Sequence, residues 1–244
     1  MLKIIIPLAG KSDLYYSAGY IYPKPIIDIN GKTMIECVIE NTNKLNIDFQ
    51  YIFIIKDEDA TKYHLDNVLK IIAPNSEIVK LKYDTKGALC SIMMTIDLIS
   101  EDDSLLILNG DQILDIDFEK VDSFWQNMSV DVGVITFKSV HPRWSYVRIE
   151  NDEIIESAEK NPISDNAIAG YYYFKSSKLF FNLSYEVINN NVSYDNNFYV
   201  SSIINQYILK NKKIKCLRID NSDYHSFYSP KMLSNFEKKY YAKD

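Results

Sequence analysis

Continuous apolar runs of strand length constrain this chain more than any other feature. "LKIIIPL" (2–8), "QYIFIIK" (50–56) and "SLLILNGD" (104–111) have almost no polar face, so the last in particular reads as a central strand buried on both sides. Between them lie segments with helical spacing. "TMIECVIENTNKL" (33–45) opens on Thr33 with Glu36 three residues on, a capping-box start. A helix through 58–73, a strand at 76–82 and a helix at 87–100 complete the first half. Strand, helix, strand is the rhythm of a parallel sheet. Beyond residue 130 the texture changes to strands with short connections, at 131–138, 145–152, 153–160 and 167–175. Asn151-Asp152 reads as a hairpin turn. Helices at roughly 176–190, 196–211 and 230–241 close the chain. The pattern predicts an α/β fold in one domain (1–244), with a doubly wound first half (1–130) and a mixed second half (131–244).

Charge and cysteine usage narrow the function classes. A formal net charge of −6 over 244 residues argues against a broad nucleic-acid surface and leaves room for one local basic pocket. Cys37, Cys90 and Cys216 are odd in number and far apart, which suits buried thiols in a reducing cytoplasm. The opening "MLKIIIPLAG" is too short an apolar run for a signal peptide or membrane span, so no membrane partner is expected. The oligomeric state stays open.

Ligands of doubly wound sheets sit at the carboxyl ends of the strands, so the informative residues are those just after strands. After the first strand comes "AGKSDLYYSAGYIYPKP" (9–25), where amides near Ala9 and Gly10 can face an anion and Lys11 and Lys24 supply cations. A surface loop with solvated lysines has the same composition, but Lys24 is pinned between Pro23 and Pro25. "NGDQ" (109–112) follows the central strand: Gly110 permits a close approach, and Asp111 sets a carboxylate where a hydrated Mg²⁺ bridging phosphates would sit. The nearby Asp115 and Asp117 of "LDID" offer a competing pair, although the alternation with Leu114 and Ile116 reads better as a short strand or helix lead-in. A third segment, "AEKNP" (158–162), puts Glu159 and Lys160 side by side at a strand end, where they can take hydroxyls and a phosphate.

In this order the segments resemble the sugar-phosphate nucleotidyltransferases, the nucleotide-sugar pyrophosphorylases. The motifs are "IIIPLAG", "PKPIIDINGKTMIECVIEN", "TKGALCSIM", "LLILNGDQ" and "WSYVRIENDEIIESAEKNPISDNAIAGYYYF", and the branch they resemble most belongs to capsule and lipopolysaccharide biosynthesis. The resemblance implies a Rossmann-like A-type nucleotidyltransferase/glycosyltransferase fold, with a nucleotide-binding first half and an acceptor-binding second half. It implies nucleotide contacts from Leu8, Ala9, Gly10, Lys11, Gly87 and Ala88, and catalytic roles for Lys24, Asp111 and Lys160. Asp111 would hold Mg²⁺, and Asn109, Gln112, Glu159 and Gly170 would meet the acceptor. The implied reaction joins a nucleoside triphosphate to a phosphorylated small molecule and releases pyrophosphate. Such a nucleophile is already ionised and needs no general base, which suits the scatter of His64, His141 and His225.

The chain departs from the family pattern twice. The loop form G-x-G-x-R puts Ser12 at the second glycine and Leu14 at the arginine, leaving Lys11 as the nearest substitute cation. Near the C-terminus, Ser226 falls where the family has a second metal carboxylate, Tyr228 and Ser229 replace Gly-Thr, and Asp223 is three residues away. Two alternatives therefore stay open: a glycosyltransferase of the same fold, and a nucleotide-binding subunit that has lost catalysis. Trp144 and the tyrosines at 171–173 can line the acceptor pocket or belong to the core.

Overall fold

The apolar runs become neighbouring parallel strands of one sheet. The computed structural model describes residues 1–45 and 47–241. Its first half contains β1 (Leu2–Pro7), α1 (Asp13–Ser17), a small ladder of β2 (Asp28–Ile29) and β3 (Lys32–Thr33), α2 (Met34–Thr42) and β4 (Phe49–Lys56). There follow α3 (Asp57–Tyr63), α4 (Leu65–Ile72), β5 (Glu77–Leu81), α5 (Ala88–Met93), β6 (Ser104–Leu108), β7 (Gln112–Leu114) and α6 (Phe118–Met128). The second half holds β8 (Val132–Lys138), β9 (Ser145–Glu150), β10 (Glu153–Glu159), β11 (Asn166–Phe174), α7 (Ser177–Asn189), α8 (Ser201–Leu209), β12 (Ile214–Arg218), β13 (Tyr224–Ser226) and α9 (Pro230–Tyr240).

Strands pair in the order β10-β9-β11-β6-β1-β4-β5, with β8 joining β11 to β12. The segment β6-β1-β4-β5 is wholly parallel, and β11 runs antiparallel to β6. This is the expected mixed sheet with a parallel heart and flanking helices. Ile4 and Ile6 enter one hydrophobic layer while Ile5 enters the other, as a strand covered on both faces requires. A third, smaller cluster joins Tyr15, Ile27 and Met34 to Phe227, Leu233 and Phe236, so α9 packs against the segment after β1.

Local expectations hold where the chemistry is local. Thr33 caps α2 reciprocally with Glu36, and Asn151 and Asp152 both have positive φ, the conformation of a tight hairpin turn. Asp117 caps α6, accepting from the Lys120 amide at 3.1 Å, so it belongs to a helix lead-in. Tertiary context changed other boundaries. The helix expected over 58–73 breaks at His64, which adopts a left-handed conformation with φ 53°. The one expected over 87–100 ends at Met93 and resumes as a 3₁₀ turn at Ile96–Leu98, and the one expected from 196 starts at Ser201. Strands β12 and β13 were not anticipated. No helix among the described residues is long and apolar enough to cross a membrane.

Candidate active site

Chain order through the parallel segment reverses at β1, which lies between β4 and β6. The crevice beyond the carboxyl ends of β1 and β6 is therefore the topological switch point, and it receives Ala9-Gly10 and Asn109-Gly110-Asp111. A cleft of about 650 Å³ opens there and extends to the second half of the chain.

The first wall is built by the loop after β1. Ser12, almost fully buried, accepts the Lys24 backbone N–H on its Oγ at 3.0 Å. Tyr15 donates its hydroxyl to the Phe227 carbonyl at 2.7 Å, and burial drives its pKa upward. Pro23 and Pro25 flank a 3₁₀ turn at Lys24–Ile26. So fixed, Lys24 places its ammonium 2.6 Å from Asp111 Oδ2, both side chains being about one-fifth exposed. Asp111 is held in turn by its carbonyl, which accepts the Phe227 amide at 2.7 Å. Lys11 lies on the exposed lip, and Gly10 opens onto the cleft, since a Cβ there would meet nothing within 4 Å. Lys56 faces the cleft beside Asp84, 3.3 Å away.

The opposite wall comes from β9, β10 and the segment before α8. Glu159 accepts hydrogen bonds from Ser145 and from Ser201, the latter at 2.7 Å. Burial raises its pKa, and the two hydroxyl donors and nearby Lys160 only partly oppose that rise. Lys160, with positive φ, is not among the residues that line the cleft; it donates to the hydroxyl of Tyr199, which does line it, at 2.8 Å, a hydrogen bond that raises its pKa. Tyr172 and Trp144 line the cleft, whereas Tyr171 and Tyr173 point to the other face and meet Trp125 and Gln126.

Three glycines meet a geometry different from the one expected. A Cβ on Gly110 would fall 2.2 Å from Leu8 Cδ2, so a side chain there would displace Leu8, while the bare glycine lines the pocket beside Lys24 and Asp111. Gly87, with φ +95°, faces the Phe198 backbone, and its added Cβ would lie 2.4 Å from that carbonyl oxygen. Gly170, with φ +57°, sits at an irregularity between β11 and β8 and makes room for the side chains of Asn109 and Gln112. Gln112 is buried and donates to the Ala169 and Gly170 carbonyls at 2.6 and 3.1 Å, off the cleft surface. Asn109 does reach the cleft, as do Gly87, Ala88, Glu159 and Gly170. Asp223 is not on the cleft wall; its carbonyl accepts the Asp115 amide at 2.8 Å, while the Asp115 carboxylate engages His225 and Tyr240.

Sequence reasoning missed Arg143 and Tyr228, which line the cleft together with Ser226. Only the scarcity of arginine could have drawn attention to Arg143.

A lysine paired with a carboxylate at a sheet's switch point, facing a second polar wall across a deep cleft, is an arrangement suited to a nucleotide-handling α/β enzyme. More particularly, the chain belongs to the nucleotidyl transferase family, whose model matches residues 19–222. That match begins beyond the segment carrying Lys11 and Leu14. Solved structures share the fold at low identity. A nucleoside-diphosphate-sugar pyrophosphorylase from Vibrio cholerae RC9 superposes with a TM-score of 0.85 at 21% identity, over 96% of this chain and 98% of that one. A UDP-glucose pyrophosphorylase complexed with UDP-glucose gives 0.78 at 16% identity, over 100% of both chains. The inositol-1-phosphate CTP transferase from T. maritima gives 0.71 at 12% identity, over 97% and 96%. No curated protein sequence is significantly similar to the chain.

Proposed function

We propose that this chain transfers a nucleoside monophosphate from a nucleoside triphosphate to a phosphorylated small molecule, a sugar phosphate, with release of pyrophosphate. The product would serve capsule or surface-polysaccharide synthesis from the cytoplasm. The observation that carries the reading is the pair of stations on the cleft: Lys24 and Asp111 at the switch point, and Glu159 on the other wall beside Tyr199, to which Lys160 is bonded. A single-substrate site needs one of them; joining two anionic substrates needs both.

Lys24, with Lys11 on the lip, takes the triphosphate. The amides around Leu8, Ala9 and Gly10 face the same anion, and the base lies toward Ala88 and the Gly87 turn. Glu159 accepts the acceptor's hydroxyls, its second oxygen having no hydrogen-bond partner among the described residues. Lys160 takes its phosphate. Asn109 meets the acceptor directly, while Gln112 and Gly170 act through it by fixing its side chain. Asp111 is suited to Mg²⁺: its Oδ1 has no hydrogen-bond partner among the described residues, and Mg²⁺ needs only one or two protein carboxylates when phosphates and water complete its shell. Bound there, Mg²⁺ would neutralise charge on the phosphates. The remaining catalysis is alignment and electrostatic screening by this chain's own cations, because the attacking phosphate oxygen is already anionic.

One observation favours a second reading, binding without turnover: Leu14 is exposed and no guanidinium extends from the loop after β1. The test offers CTP, UTP, GTP and dTTP with Mg²⁺ and a panel of phosphorylated sugars and alcohols, and measures pyrophosphate. Release that falls about a hundredfold or more in Lys24→Ala and Asp111→Ala supports transfer. Nucleotide binding with no release across the panel supports the second reading. Release of a nucleoside diphosphate from a nucleotide sugar identifies a glycosyltransferase instead.

A further inference from the structure

Arg143 is the cleft cation that the sequence pattern did not anticipate, and its surroundings set it apart. Arg148 and Arg218 are spent in surface ion pairs, with Glu156 at 2.8 Å and Asp165 at 3.0 Å. Arg143 has no carboxylate within 4 Å among the described residues. Its guanidinium lies 5.4 Å from the ring centroids of both Trp144 and Tyr228. Its Nε donates to His141 Nδ1 at 3.2 Å, one terminal nitrogen lies 3.2 Å from His141 Nε2, and the other approaches Met232 Sδ at 3.7 Å. Two aromatic faces, an imidazole and a thioether therefore fix the group in place while leaving its charge unpaired.

Both ring partners tie Arg143 to the stations already described. Tyr228 follows Phe227, whose amide is bonded to the Asp111 carbonyl. Trp144 precedes Ser145, whose hydroxyl is bonded to Glu159. Lys160 shows the same pattern: it has no carboxylate within 4 Å among the described residues, and its ammonium lies 5.4 and 4.9 Å from the ring centroids of Tyr194 and Tyr199. By contrast, Lys24 is paired with Asp111 and Lys56 with Asp84. Arg143 on the cleft wall and Lys160 bonded to Tyr199 of that wall are thus both held on aromatic faces, in a chain whose net charge is −6. A guanidinium ordered before its anion arrives loses little entropy on binding, and each terminal nitrogen of Arg143 keeps one N–H to offer a phosphate.

We propose that Arg143 clamps the phosphate of the acceptor, acting with Lys160. Calling that anion the acceptor's phosphate rests on the nucleotidyl-transfer reading; the anion site itself does not.

Trp144 is a built-in reporter, since the other tryptophan, Trp125, is a buried residue of α6. Inorganic phosphate is titrated into the full chain, following tryptophan emission, for wild type, Arg143→Lys and Arg143→Met. Binding of CTP, UTP, GTP and dTTP with Mg²⁺ is measured separately by equilibrium dialysis. Wild type should respond saturably to phosphate. Arg143→Met should weaken phosphate about tenfold or more and Arg143→Lys less, with thermal melting unchanged and triphosphate binding altered less than about twofold. The proposal is overturned if wild type gives no saturable response, if Arg143→Met keeps wild-type phosphate affinity, or if triphosphate binding is what falls. Failure of every triphosphate to bind wild type would sink the transfer reading alone, and an Arg143-dependent phosphate response would still establish the anion site.

Discussion

Single side chains here do their work through what holds them. Lys24 and Asp111 were legible because one is confined by two prolines and the other follows a central strand. Glu159 is held more expensively, inside the wall, with two serine hydroxyls on one oxygen and a pKa raised chiefly by burial. A raised carboxyl pKa means that the folded state prefers the proton, so its ionised form costs stability above that pKa and the cost vanishes below it. Glu159→Gln keeps an acceptor for Ser145 and Ser201 and removes the buried charge. It should melt higher than wild type at pH 7, with the gain shrinking as the pH falls through the carboxyl range, while the KM for the acceptor rises. Melting curves at pH 7 and 4.5 check the sign; a variant that melts lower than wild type at pH 7 would mean the carboxylate is net stabilising. The glycines were the residues least legible in sequence. Gly87, Gly110 and Gly170 line the site's pockets, but what an added side chain would meet at each is another part of the protein, which only tertiary packing decides.

At the scale of elements, the loop before α5 and the segment before α8 form one unit. The Phe198 amide donates to the Lys86 carbonyl at 2.8 Å, and the Leu89 amide donates to the Phe198 carbonyl at 3.1 Å. The Gly87–Ala88 side of the cleft is therefore stitched to the segment that carries Tyr199 and the Lys160 contact. Gly87→Ala would set a methyl against that backbone from a left-handed φ, and should cost about 2–4 kcal/mol of stability. Gly10→Ala, where a Cβ meets nothing within 4 Å, should stay within about 0.5 kcal/mol. Urea midpoints of the two variants decide it, and equal shifts would mean the Phe198 crossing yields easily. Periodicity found most elements but not their interruptions. Nothing in "DATKYHLDNV" marks His64 as left-handed, and "IKCLR" hides its pairing with β8 behind alternating lysine and arginine.

For the whole molecule, the question is whether the expected halves are separable. The boundary near residue 130 runs through a continuous sheet. Leu105–Leu108 of β6 pair with Tyr171–Phe174 of β11, so the strand that leads to Asp111 is bonded directly to the second half. Trp125, on the last helix of the first half, lies against Gly133 of β8, where an added Cβ would fall 2.7 Å from the indole, and its Nε1 donates to the Tyr171 hydroxyl at 3.3 Å. That contact makes Trp125 a probe of the seam. In Trp144→Phe it is the only tryptophan, and its emission should change in the same urea transition that far-UV circular dichroism reports for all strands and helices. If the halves were independent, the seam would open first and the fluorescence midpoint would fall below the dichroism midpoint. Coincident midpoints would show one cooperative unit, in which a ligand at the switch point stabilises both walls of the cleft together. Nucleoside triphosphate at about a hundred times its Kd should then raise both readouts equally, by about 2.7 kcal/mol. A shift in only one of them would place the binding energy in a half that folds alone.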